Sequence, residues 1–206
     1  CHLLGHSMGA GVASIVAGTL PAVVRTFCAM DLLGVYTAEM TDKTAPVNLE
    51  HAVKQRKNLS KRVPKVYPDL KQAVEKLRGN NPTLAKHTAK SIARRGTVQV
   101  EGGVCFCHDY RLVGHSLMRY REDDMIHFME RIACPTLLIL AGSTVDRWKK
   151  ADSKAEKLAK EQRDAGKEAD AKNTFLKIYN KRIKSVSGIT VKVLPGGHHV
   201  HSDKAE

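Results

Sequence analysis

Residues 1–14 read CHLLGHSMGAGVAS, and the fold turns on how this stretch is parsed. Leu3 and Leu4 close a short apolar run. Gly5-His6-Ser7-Met8-Gly9 makes a tight turn, and Ala10, Gly11, Val12, Ala13 and Ile15 continue with small and apolar residues at helical spacing. The spacing predicts a strand ending at residue 4, a sharp bend, and a helix over 8–19. In that setting Gly-x-Ser-x-Gly holds a serine hydroxyl at the tip of a strained strand-to-helix turn. Gly5 and Gly9, two residues to either side of Ser7, are expected where any Cβ would clash as strand and helix cross. The helix N-terminus then lies under Ser7, with the Met8 N–H directed at the oxygen of a carbonyl whose carbon the serine attacks.

Working outward, "VVRTFCAM" (23–30) is a buried-strand run ending at Asp31, which completes strand–helix–strand punctuation. "CPTLLILAG" (134–142) and "GITVKVLPGG" (188–197) are two further strand runs, the second leading into "HHVHSD". Between them, Phe175, Leu176, Tyr179 and Ile183 form an apolar stripe at helical spacing. From about 36 to 127 the character changes to Lys- and Arg-rich helical segments (49–60, 68–79, 82–95), separated by prolines and followed by a glycine-marked extended stretch. The expected class is α/β, a parallel sheet flanked by helices. Its core is assigned to 1–35 and 128–206, with 36–127 as a mainly helical lid. An open parallel sheet with this bend at a strand end should have strands before it. The expectation is therefore a partial fold, the C-terminal portion of a longer protein with its N-terminal strands absent.

The chain has 206 residues, enough for a core plus a lid, with 42% hydrophobic and 27% charged residues. No apolar stretch approaches the roughly 20 residues that cross a bilayer, so no membrane span is expected. The five cysteines, Cys1, Cys28, Cys105, Cys107 and Cys134, are odd in number and lack a disulfide-framework spacing. They point to a reducing compartment, intracellular and either cytoplasmic or peroxisomal. The formal net charge of +13 is concentrated in residues 41–100, with a balance of +10, and 148–185, with +6. These stretches read as solvated helical faces. They carry no interleaved aromatic residues for base stacking, and no nucleic-acid partner is expected.

The order of the features is serine bend, strand, helical insertion, strand with a downstream acid, strand with a downstream histidine. On "GHSMGAGVAS" (5–14), "AMDLLG" (29–34), "RRGTVQVEGGVCFCHDYRL" (94–112), "CPTLLI" (134–139) and "LPGGHHVHSD" (194–203), the chain resembles the serine hydrolase-like proteins, a branch of the α/β-hydrolase superfamily. The resemblance spans nearly the whole chain. It implies a carboxylesterase-like serine hydrolase that cleaves a small acyl substrate through an acyl-enzyme. Ser7 would be the nucleophile, the Met8 N–H one oxyanion donor, and His198 the general base, with His199 as the alternative one register step away. Asp146, just beyond its strand, is the first choice for the triad acid, and Asp31 is the alternative. The loop that supplies the second oxyanion donor in the family is not in this sequence, which motivates a rival reading of an inactive binding or scaffold module. His198, His199 and His201 lack a Cys or carboxylate at zinc-ligand spacing, and Cys105-x-Cys107-His108 lacks a second ligand pair. Neither a metal nor a cofactor is expected.

Overall fold

The computed structural model describes residues 1–41, 43–59, 61, 63–165 and 175–203. In chain order the elements are β1 (His2–His6), α1 (Met8–Thr19), β2 (Thr26–Met30), α2 (Ala45–Leu59), β3 (Val66–Tyr67), α3 (Leu70–Asn80), α4 (Lys86–Gly96), β4 (Thr97–Val100) and β5 (Gly103–Phe106). There follow α5 (Glu122–Glu130), β6 (Thr136–Ala141), α6 (Gly142–Asp164), α7 (Phe175–Ser185), β7 (Ile189–Leu194) and α8 (Val200–Asp203). They divide into two compact units, Cys1–Lys43 with Arg119–Pro195, and Thr44–Met118 with Gly196–Glu206.

In the first unit β1, β2, β6 and β7 form a four-stranded sheet in the order β1-β2-β6-β7, parallel throughout. β2 and β6, in the middle of the sheet, are short apolar runs, and each connection is long enough to carry a helix, as parallel pairing requires. Alternation sends Phe27, Ala29, Leu138 and Leu140 into a core completed by Met125, Met129 and Ile132, by Trp148 of α6 and by Tyr179 of α7. The expected stripe on α7 is present: Tyr179 is buried, with Phe175, Leu176 and Ile183 partly buried against the same core. Small residues let α1 lie close to its neighbours. A Cβ on Gly18 would stand 2.3 Å from the Phe128 carbonyl oxygen of α5.

One polar cluster crosses this apolar interior. Arg182 of α7 is fully buried and grips Glu122 of α5 with both ends of its fork, Nε to Oε1 at 2.7 Å and Nη2 to Oε2 at 2.6 Å. It also donates to the Leu33 carbonyl at 2.8 Å, while the Thr37 hydroxyl donates to Glu122 at 2.7 Å. The Glu122 N–H in turn donates to the Glu39 carboxylate. These bonds bind residues 33–39 to α5 and α7. Residues 36–39 and all of α5 therefore belong with the sheet, whereas the boundary expected from sequence at 127/128 falls inside that helix.

The second unit joins α2, α3 and α4 to a small antiparallel sheet in the order β3-β5-β4. The glycine-marked extended stretch forms the β4–β5 hairpin, turning through Gly102 and Gly103 at φ +81° and +141°. At Gly103 a side chain is also excluded by space, since a Cβ would lie 2.1 Å from the Tyr67 carbonyl oxygen. Val74, Leu84, Ala89 and Ala93 make a separate small core. Residues 196–203 belong to this unit, seated on the loop between α3 and α4. Val200 is buried, the Gly197 backbone lies against Thr83, and His87 Nε2 meets the Ser202 carbonyl oxygen at 3.2 Å. Among the described residues no helix is long and apolar enough to cross a membrane.

Candidate active site

The carboxyl edge of the parallel sheet collects the polar residues of the first unit. Ser7 follows β1 directly, at φ 53° and ψ −123°, a backbone region that L-residues seldom adopt. Its N–H donates to the Met30 carbonyl at 2.8 Å, and its own carbonyl accepts the Ala10 and Gly11 N–H groups that begin α1. The bend is thus fixed on both sides by backbone bonds. The hydroxyl does not cap the helix, and among the described residues it is tied to nothing. Met8 is the first residue of α1, so its N–H has no acceptor within the helix and remains a donor at the bend.

Asp31 occupies the equivalent place one strand along, directly after β2. Because His6 and Met30 are in register, Ser7 and Asp31 leave adjacent strand ends. Asp31 also has positive φ, 55°, which Asp tolerates better than most residues. It is buried, and its carboxylate is held at both oxygens. The Ala141 N–H donates to Oδ1 at 2.8 Å, and the Thr144 hydroxyl to Oδ2 at 2.7 Å. These two bonds fix the orientation of the carboxylate. Thr144, which holds Asp31, carried no signal in the sequence beyond its position just past β6.

Asp146 stands in a different environment. β6 runs into α6 without an intervening loop, because Gly142-Ser143-Thr144 enters the helix directly. Asp146 consequently lies on the second turn of a 23-residue helix, exposed. The histidines lie in the second unit. His198 and His199 are half-buried and meet edge to face at 5.2 Å between ring centroids, and His199 is 6.1 Å from the ring of His201.

No family model matches the chain. Over 207 residues it is 28% identical to a serine hydrolase-like protein of Dictyostelium discoideum, covering 98% of this chain and 51% of that protein. The crystal structure of a hypothetical protein from Pseudomonas aeruginosa PAO1 matches with a TM-score of 0.73 at 28% identity, over 98% of this chain and 61% of that one. The thioesterase domain from the curacin biosynthetic pathway matches with a TM-score of 0.62 at 20% identity, over 98% and 60%. The fold is that of the α/β-hydrolases. The chain spans about half the length of the curated relatives it matches.

Within the hydrolase fold the two glycines beside Ser7 prove unequal. A Cβ on Gly5 would lie 2.6 Å from the backbone of Ala10 and from the Gly9 carbonyl oxygen, whereas a Cβ on Gly9 meets nothing within 4 Å among the described residues. The expectation that both exclude a side chain is corrected: the strand–helix crossing closes on Gly5 alone. Gly5→Ala should cost about 1–3 kcal/mol in chemical denaturation, as forced overpacking does. Gly9→Ala should be neutral or gain up to about 1 kcal/mol, since helical Ala is preferred to Gly. Equal losses at the two positions would contradict this geometry.

Asp109 and Arg111, just past β5, form an exposed pair. Arg111 Nε donates to both carboxylate oxygens at 3.0 and 2.9 Å, and the Arg111 N–H donates to Oδ1 at 2.8 Å. These hydrogen bonds hold the Asp109 carboxyl at about 2, below the usual carboxylate range.

Proposed function

We propose that the chain carries the nucleophile and base of a serine hydrolase acting on a small ester or related acyl substrate. The observation that carries this reading is Ser7 itself, a serine in a strained bend between the carboxyl end of a parallel strand and a helix, with a hydroxyl that does not cap that helix. Similarity to a serine hydrolase-like protein over 98% of the chain supports it.

In this reading Ser7 Oγ bonds to the substrate carbonyl carbon while its proton passes to His198, and the carbonyl oxygen takes up the negative charge opposite the Met8 N–H. The intermediate collapses as the bond to the leaving alcohol breaks, the alcohol taking the proton from His198. Water then repeats the sequence on the acyl-enzyme and releases the acid. For the carboxylate that orients the base, the structural surroundings favour Asp31 over Asp146. Asp31 is buried, oriented by two donors and placed beside the Ser7 strand end; Asp146 is exposed on a helix.

A fluorophosphonate probe applied to protein carrying this chain should label Ser7, and Ser7→Ala should abolish the labelling. His198→Ala should suppress it more strongly than His199→Ala. Labelling that survives in the Ser7→Ala protein would defeat the assignment, and a folded wild type that takes no label would favour the non-catalytic reading.

A further inference from the structure

The second unit holds a feature that hydrolysis does not use. α3 and α4 run as a helical hairpin, and between them lies a groove of about 360 Å³ lined by Leu70, Lys71, Val74, Glu75, Arg78, Lys86 and Lys90. That volume falls within the range of small-ligand sites, about 300–1,000 Å³. The lining follows from helical spacing. Leu70, Val74 and Arg78 recur every four residues on α3, as do Lys71 and Glu75, while Lys86 and Lys90 face them one turn apart on α4.

The floor is apolar and continuous with the small core, since Val74 is buried in it and Leu70 packs against it. The rim is cationic, with three lysines and an arginine against a single carboxylate. Among the described residues Lys71, Lys86 and Lys90 make no ion pair, and Glu75 neutralises none of them. Arg78 has one bond to a backbone acceptor, Nε to the Leu84 carbonyl at 3.4 Å, which leaves its terminal nitrogens for another partner.

Cations gathered over an apolar floor repel one another unless an anion lies among them, and lysine stems extend the apolar surface beneath their charged heads. The groove has no aromatic side chain on which a base could stack, which disfavours a nucleic acid strand. Its concavity and size suit one small molecule.

We propose that the α3–α4 groove binds a single-chain amphiphile with a phosphate head group. The phosphate sits among Lys71, Arg78, Lys86 and Lys90, where charge-assisted hydrogen bonds are strongest, and the alkyl chain lies along Leu70 and Val74. This site is independent of the Ser7 chemistry and stands whether or not the chain hydrolyses esters.

The test is titration calorimetry with dodecyl phosphate below its micellar concentration, against inorganic phosphate and dodecyl maltoside. Saturable one-to-one binding of dodecyl phosphate, at least tenfold tighter than either comparator, is the expected result. The Lys86→Glu/Lys90→Glu variant should weaken it at least tenfold, and Leu70→Ser should weaken it for dodecyl phosphate but not for inorganic phosphate. Both variants should keep the wild-type far-UV circular dichroism and fluorophosphonate labelling. The proposal fails if inorganic phosphate binds as tightly, if the neutral detergent does, if no saturable binding occurs, or if charge reversal in a folded variant changes nothing.

Discussion

Asp31→Asn should lower turnover of an activated ester about 10³–10⁴-fold with the fold intact, and Asp146→Asn should leave turnover within about twofold. The first magnitude is that of losing the charge, but not the shape, of a carboxylate that orients a catalytic imidazole and stabilises its protonated form. Asn suits the position for two reasons. It tolerates the positive φ that Asp31 adopts, and its side-chain oxygen can still accept from the Ala141 N–H or the Thr144 hydroxyl. A loss of activity in Asp31→Asn would therefore report charge rather than unfolding, and a thermal melt alongside the assay checks this. Asp146 is exposed, so exchanging its charge should cost little in either assay. Thr144→Val adds a finer test. It removes the donor to Oδ2 without touching the charge, and a positioning role predicts a fall in kcat with little change in KM. The opposite pattern, with Asp146→Asn inactive and Asp31→Asn active, would restore the choice made from strand order and remove Asp31 from the mechanism.

Local sequence does not decide between these two aspartates. The bend at Ser7, the run ending at Asp31, the strand at 136–141 and the final strand were legible because glycine, proline and continuous apolar runs mark them locally. The acid was harder, because two aspartates follow two strands and the spacing treats them alike. What separates them is three-dimensional: β6 passes into helix without a loop, and Asp146 is carried onto an exposed helical turn. Asp31, by contrast, is enclosed by residues about 110 positions away in the chain. The unequal glycines have the same origin. Gly5 and Gly9 are symmetric about Ser7 in sequence, yet only one faces the backbone of the crossing helix. Arg182 was invisible for a related reason. Its neighbours on the helix, Lys181 and Lys184, make the segment look like one more solvated basic face, and nothing local reveals that this one cation points inward.

Arg182→Ala should destabilise the first unit by about 3–5 kcal/mol, the cost of leaving a buried charge without its partner. The argument rests on desolvation rather than on the strength of the ion pair. Glu122 is buried and shielded by α5, α7 and residues 33–39, so its carboxylate would face the missing fork with only the Thr37 hydroxyl as compensation. The Leu33 carbonyl would lose its donor as well. Glu122→Ala should cost a similar amount by stranding the guanidinium, and the double variant should cost less than the two losses added, because neither charge is then left alone. Lys at position 182 should rescue little, since an ammonium cannot reproduce the two-pronged grip on Glu122. The neighbouring residue gives the control. Lys181 pairs with Asp123 at 3.3 Å, but both side chains are more than half exposed, and Lys181→Ala should cost no more than about 1 kcal/mol. Urea titrations followed by Trp148 fluorescence read all five variants, because Trp148 stacks on Tyr179 at 4.0 Å in the same core. Equal small losses for Arg182→Ala and Lys181→Ala would mean that the clamp is open to water in solution, and that residues 33–39 are held to the sheet by packing alone.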